Sequence, residues 1–251
     1  MLRTLFIAVF LSIYILVAGI PLLLYTVISR NPNPLYWAGV RGVRFFVRAV
    51  GVKFRVKGLE RIPPGTCLFV ANHTSSADAP AVVGAIPRRI AILLKRSLFS
   101  VPIVGAAFRL ARFIPVERAR HEEAIAALEK ATEALKAGQS FLIYPEGTRS
   151  PGGDRLHPFS RGFAHMALQA DVPVRPVLID CDPPAFTKRM RWYHVPSRPF
   201  RMRIVALEPL ALERFAAPAT PHAAAARVVA KAVQAHITEH LFAYGFFKTR
   251  N

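Results

Sequence analysis

The residues best suited to chemistry are His73 and Asp78, in the run Asn72-His73-Thr74-Ser75-Ser76-Ala77-Asp78. They stand five positions apart, between a strand-like run and a helix-like run. A histidine so placed can take a proton. An aspartate within reach can fix the ring's tautomer and stabilise the imidazolium that forms. No serine or cysteine occupies an obvious nucleophile motif. The pair therefore suggests direct activation of a substrate hydroxyl rather than a covalent enzyme intermediate.

A second constellation is Tyr144-Pro145-Glu146-Gly147-Thr148-Arg149-Ser150, which follows the buried-looking run Phe141-Leu142-Ile143. Gly147 permits a tight turn and a close backbone approach. Thr148 and Ser150 carry hydroxyls, and Arg149 carries a planar fork that matches phosphate. An ordinary turn with a surface arginine would read the same way. A third is Phe113-Ile114-Pro115-Val116-Glu117-Arg118, a strand-like run ending in an arginine, for which an ion pair at the strand end is the plainer reading. Lys95 follows another such run and would add positive charge to the same edge. His236 and His240 sit four apart on an expected helix, a spacing that could suit a metal. No third ligand is evident in the sequence, so they read as a partly exposed helix face and no metal site is expected.

These residues need elements to position them. Strand-like runs cover 52–56, 66–71, 90–94, 113–116, 140–144, 172–179 and 200–207. Helical patterns cover 79–85, 102–110, 122–137, 162–169 and 223–241. Strands alternating with helices predict an α/β fold built on one sheet. Ligands of such sheets gather beyond the carboxyl ends of the strands. Four of the expected strands end at His73, Lys95, Arg118 and Glu146 with Arg149, so one shared site is expected there.

Composition narrows the class of protein. The chain has 251 residues, enough for one sizeable domain and a small appendage. Hydrophobic residues make up 53%, too many for a disordered chain. The 34 Lys and Arg against 15 Asp and Glu give a net charge of +19, which favours anionic lipid, nucleic acid or a phosphorylated substrate as partner. The basic residues are dispersed and no nucleic-acid module is visible, so nucleic acid is not expected. Cys67 and Cys181 have no metal or redox spacing and read as reduced core residues. Leu5 to Ile28 carries no charge, long enough to span a bilayer core. Arg30, Arg41, Arg44 and Arg48 follow it and would hold the rest of the chain in the cytoplasm. Pro21 also permits a monotopic hairpin with 35–50, whose valines and arginines suit the headgroup region; a buried core helix with a solvated edge is the alternative. The expected division is residues 1–50 as membrane-associated helices and 51–251 as the α/β domain.

Taken together, the motifs resemble the lysophosphatidate acyltransferase family, the glycerolipid acyltransferases, over roughly residues 55–205. His73 and Asp78 match its His-x4-Asp block. Lys95 through Arg118, with Val101-Pro102 and Gly105, resembles the second block. Glu146-Gly147-Thr148-Arg149 matches the third, and Phe159-Ser160-Arg161-Gly162 resembles the segment that follows it. Val172 through Val177 looks like the fourth. The chain departs from the pattern at Arg112, where glycine is usual, at Arg175, where an aliphatic residue is usual, and at Ser160 and Arg161, where lysines are commoner.

The resemblance implies a mixed sheet flanked by helices, with an N-terminal membrane-associated segment. It implies O-acyl transfer from acyl-CoA or acyl carrier protein to the sn-2 hydroxyl of 1-acyl-sn-glycerol-3-phosphate, giving phosphatidic acid without a metal or redox cofactor. It makes His73 the base and Asp78 its orienting partner. Arg149, Arg118 and Lys95 would hold the acceptor phosphate, Gly147 and Thr148 would shape the turn, and Glu146 would either position the acceptor or brace an arginine. In a bacterium the enzyme would lie at the cytoplasmic face of the inner membrane. Another lyso-lipid acceptor, such as a lyso-ornithine lipid, and a non-catalytic basic binding protein are the rival readings. The basic, aromatic segment 182–199 suits a second membrane contact, a donor-binding edge or a solvated loop.

Overall fold

A computed structural model describes residues 2–62, 64–117, 120–150, 155–187, 200–215 and 221–246. The chain opens with α1 (Leu2–Tyr14), a π-helical turn (Ile15–Gly19) and α2 (Ile20–Ser29), and returns through α3 (Asn33–Ala49). Then come β1 (Val52–Lys57), β2 (Leu68–Ala71), α4 (Asp78–Ala85), β3 (Ile90–Lys95), α5 (Val104–Leu110) and β4 (Ile114–Val116). The order closes with α6 (His121–Lys136), β5 (Ser140–Ile143), α7 (Gly162–Ala170), β6 (Val174–Asp182), β7 (Phe200–Ala206) and α8 (His222–Ala243).

One sheet has the strand order β1-β7-β6-β2-β5-β3-β4. Every neighbouring pair is parallel except β6 and β7. Parallel strands need helical crossovers and are covered on both faces, which is why β2 and β5 are buried throughout and apolar at every position but Ser140. The two-residue period divides their side chains. Phe69, Ala71 and Leu142 join Val40, Val47 and Val82 in one core layer. Leu68, Val70, Phe141 and Ile143 join Phe163, Met166, Val229 and Val233 in the other.

The α3 region shares a core with the strands and helices that follow it. Tyr36, Val40, Val47 and Val50 of the α3 region are buried in the same core as Phe69 and Val82. The Tyr36 hydroxyl accepts a hydrogen bond from Ile90 N at 3.0 Å, tying α3 to the head of β3. Arg44 Nε donates to Gly84 O at 2.6 Å, tying it to the end of α4. Hydrophobicity alone does not say whether lipid or protein covers a helix, and here α4, the first two helices and the edge strand β1 pack against α3.

Nor does Pro21 break the first helix. The π-turn just before it widens the spiral where a proline lacks its N–H, and the helix continues to Ser29. The return comes at Arg30, whose left-handed φ of 55° ends α2. The Tyr14 hydroxyl donates to Ala38 O at 2.8 Å, and the Phe10 and Phe45 rings lie 4.2 Å apart, so the two arms lie together. The apolar helix Leu5–Ser29 has 25 residues and is long and apolar enough to cross a membrane. At 1.5 Å per residue it measures roughly 38 Å, against about 30 Å for a hydrocarbon core. Leu5, Phe6, Val17, Leu24, Val27 and Ile28 are among the large apolar side chains it leaves exposed.

Candidate active site

β2 ends at Ala71, and Asn72 finishes its ladder with a side chain. Asn72 Nδ2 donates to Ile179 O, and its Oδ1 accepts from Ile179 N, both at 2.8 Å. The amide thus replaces a peptide group against β6 and releases the backbone to turn. His73 follows, just beyond the sheet. Its Nδ1 lies 2.8 Å from Asp78 Oδ2, and the two side chains are 14% and 0% exposed. The same carboxylate oxygen accepts from Thr74 N at 2.6 Å and Ser75 N at 2.8 Å. Asp78 sits in the first turn of α4, where the helix dipole favours negative charge. With a carboxylate as its partner, Nδ1 carries the proton and Nε2 keeps the lone pair that can accept one. The ring is stacked on Tyr144 with centroids 4.3 Å apart, which limits its rotation.

The backbone of His73 is held from the other motif. Glu146, at 7% exposure, accepts from His73 N through Oε1 at 2.8 Å. Its Oε2 accepts from Ser150 Oγ at 2.5 Å and from His157 N at 2.8 Å. Ser150 N donates to His73 O at 2.6 Å. Glu146 therefore faces inward and steadies the histidine loop.

The cations are disposed differently. Arg149 Nη1 donates to Ser76 Oγ at 2.6 Å and to Phe186 O at 3.0 Å, which places the guanidinium beside the dyad's loop. Lys95 is exposed as the last residue of β3, not beyond it, at the same end of the parallel strands as His73. Arg118 lies outside the described residues, as do positions 188–199 of the basic, aromatic segment. Thr148 is half-buried, and Gly147, with φ 69°, takes a left-handed turn where a side chain would be strained.

Two departures from the motif pattern gain a physical meaning. Arg112 has φ 61°, so a non-glycine residue is strained where glycine is usual. Arg175 is fully buried in β6 and donates to Leu207 O at 2.7 Å. Gly105 answers a close approach, since a Cβ there would stand 2.1 Å from Phe99 O. Cys67 and Cys181 are both free and buried; burial pushes the Cys181 thiol up to about 12, and raises Cys67 as well. Neither is suited to act as a thiolate nucleophile.

A cavity of about 780 Å³ opens between α6 and α7. Leu93, Val116, Ile125, Leu128 and Met166 line it, and Tyr144 and Gly147 bring it to the dyad's side. Its volume falls in the range of small-molecule sites. The sequence contains its apolar residues but not their convergence, which needs two helices that are distant along the chain.

Comparison with known proteins identifies the family. The family model described as acyltransferase matches residues 53–180. The chain belongs to the acyltransferase family. It is 31% identical over 165 residues to the mouse 1-acyl-sn-glycerol-3-phosphate acyltransferase alpha, covering 65% of this chain and 56% of that protein. It is 37% identical over 128 residues to the 1-acyl-sn-glycerol-3-phosphate acyltransferase of Pseudomonas aeruginosa, covering 51% of this chain and 49% of that one. The chain thus spans about half the length of the curated relatives it matches. The crystal structure of the 1-acyl-sn-glycerophosphate acyltransferase PlsC from Thermotoga maritima has the same fold. It superposes with a TM-score of 0.74 over 99% of this chain and 97% of that one, at 23% identity.

Proposed function

We propose that this acyltransferase moves a fatty acyl group from an acyl thioester to the sn-2 hydroxyl of 1-acyl-sn-glycerol-3-phosphate, giving phosphatidic acid. The observation that carries the reading is the His73 Nδ1–Asp78 Oδ2 contact, with the carboxylate fully buried and accepting two backbone N–H groups besides. His73 Nε2 removes the hydroxyl proton as the oxygen attacks the thioester carbonyl. Asp78 stabilises the imidazolium. The tetrahedral intermediate then collapses, the C–S bond breaks, and the thiolate leaves with the proton returned from His73. Arg149 and Lys95, with Arg118, supply positive charge for the acceptor phosphate. The cavity beside Tyr144 suits an acyl chain.

The donor is acyl-CoA or acyl carrier protein, and no metal or redox group takes part. The exposed apolar helix 5–29 attaches the protein to the membrane, where acceptor and product reside, and the arginines that follow it favour a site on the cytoplasmic side. That both relatives named above are 1-acyl-sn-glycerol-3-phosphate acyltransferases supports the choice of acceptor.

The test is thiol release by the purified, detergent-solubilised protein, with each donor, with and without lysophosphatidate. Release that requires both lysophosphatidate and His73 is expected. Release only with a phosphate-free lyso-lipid would keep the mechanism and change the substrate. Silence with every acceptor and both donors would leave a basic binding protein.

A further inference from the structure

Three metal-ligating side chains stand together on α8, outside the site described above. The helix buries Val229, Val233, Ile237 and Leu241. Its 3.6-residue period puts His236, Glu239 and His240 to one side of that stripe. Each of the three offers a ligand atom, and these atoms all lie within 4.8 Å of one another. The two imidazole rings have centroids 4.2 Å apart. His240 Nδ1 lies 2.9 Å from the backbone oxygen of His236. A carbonyl can only accept, so that nitrogen carries the proton and Nε2 presents its lone pair. Metal-binding histidines are commonly oriented by this kind of backbone contact. Both histidines are half-buried and Glu239 is exposed, so the group is ordered by the helix yet reachable from solvent. Glu239, one position before His240, is thus a third group able to ligate beside the two histidines.

We propose that His236, Glu239 and His240 form a binding site for a divalent first-row transition ion. Two imidazoles and one carboxylate suit zinc, with water filling the remaining position. The ion cross-links one turn near the end of α8 and stabilises the folded chain by mass action. The other close pair, His165 and His222, approaches through its Nδ1 atoms at 3.2 Å. It offers two ligands whose facing nitrogens already engage each other.

The test uses tag-free, full-length protein in detergent, freed of metal with a chelator. Zinc is added in a calorimeter, and cobalt(II) is followed by its visible absorption. One ion per chain and a rise in melting temperature are expected. His236→Gln and His240→Gln should each weaken binding about tenfold or more, Glu239→Gln should weaken it less, and His165→Gln with His222→Gln should leave it in place. Circular dichroism of the metal-free variants separates a lost ligand from a lost fold. Absence of zinc binding in the unaltered protein overturns the site, and so does binding that survives the combined His236→Gln and His240→Gln change.

Discussion

The two halves of the candidate active site are built in opposite ways. The acid–base half is buried and tightly bonded. Asp78 is fully buried, Glu146 nearly so, and between them they fix both the ring and the backbone of His73. The cationic half is open, with Lys95 exposed at a strand end and Arg149 half-exposed against the loop it braces. A proton-transfer group must hold one geometry, because misplacement by about an ångström is costly in rate. A phosphate is a large, diffuse charge that can be met by flexible side chains from solvent. Under the proposed mechanism, rigidity is concentrated where proton transfer needs it.

That contrast can be broken from either side. The largest effect is expected from His73→Ala, which should lower kcat by about 10²–10⁴-fold while leaving the fold intact by circular dichroism. Near-normal thiol release by that variant would falsify the assignment of the base. Glu146→Gln comes next. It sets an amide against three donors and should destabilise the protein by about 1–3 kcal/mol in urea unfolding, with kcat falling more than KM rises. A variant of unchanged stability with only a raised KM would instead put Glu146 in contact with the acceptor.

Lys95→Ala tests the open half. It should raise KM for lysophosphatidate about tenfold with little change in melting temperature, and added salt should narrow the difference from the parent protein. The smallest effect is expected at Arg112→Gly, which relieves a left-handed φ and should stabilise the chain by about 1 kcal/mol without altering kcat. Measuring both unfolding and turnover would show whether that strain serves the site.

How much was legible follows the range of the interactions. The dyad was readable because His73 and Asp78 lie within one loop and one helical turn, where spacing nearly fixes geometry. The strand periods were readable because they record which face is buried. Asn72 gave no comparable signal, since its partner is Ile179, 107 positions away. The part played by Glu146 was hidden for the same reason, as its first contact crosses 73 positions. Arg112 was marked only as a departure from a motif, and its positive φ supplied the reason. The stretch 35–50 suits the headgroup region and a buried core alike, because valines at helical spacing fit lipid and protein equally.

The sequence by itself determined the local chemistry and the alternation of elements. The His-x4-Asp loop, the uncharged stretch 5–28 and the α/β pattern each depend on neighbours along the chain. Only the tertiary structure decided what covers α3, which way Glu146 faces and where α6 and α7 leave a cavity. Those outcomes depend on which distant groups meet. A short sequence motif carries no record of its partner when the contact is made across the sheet.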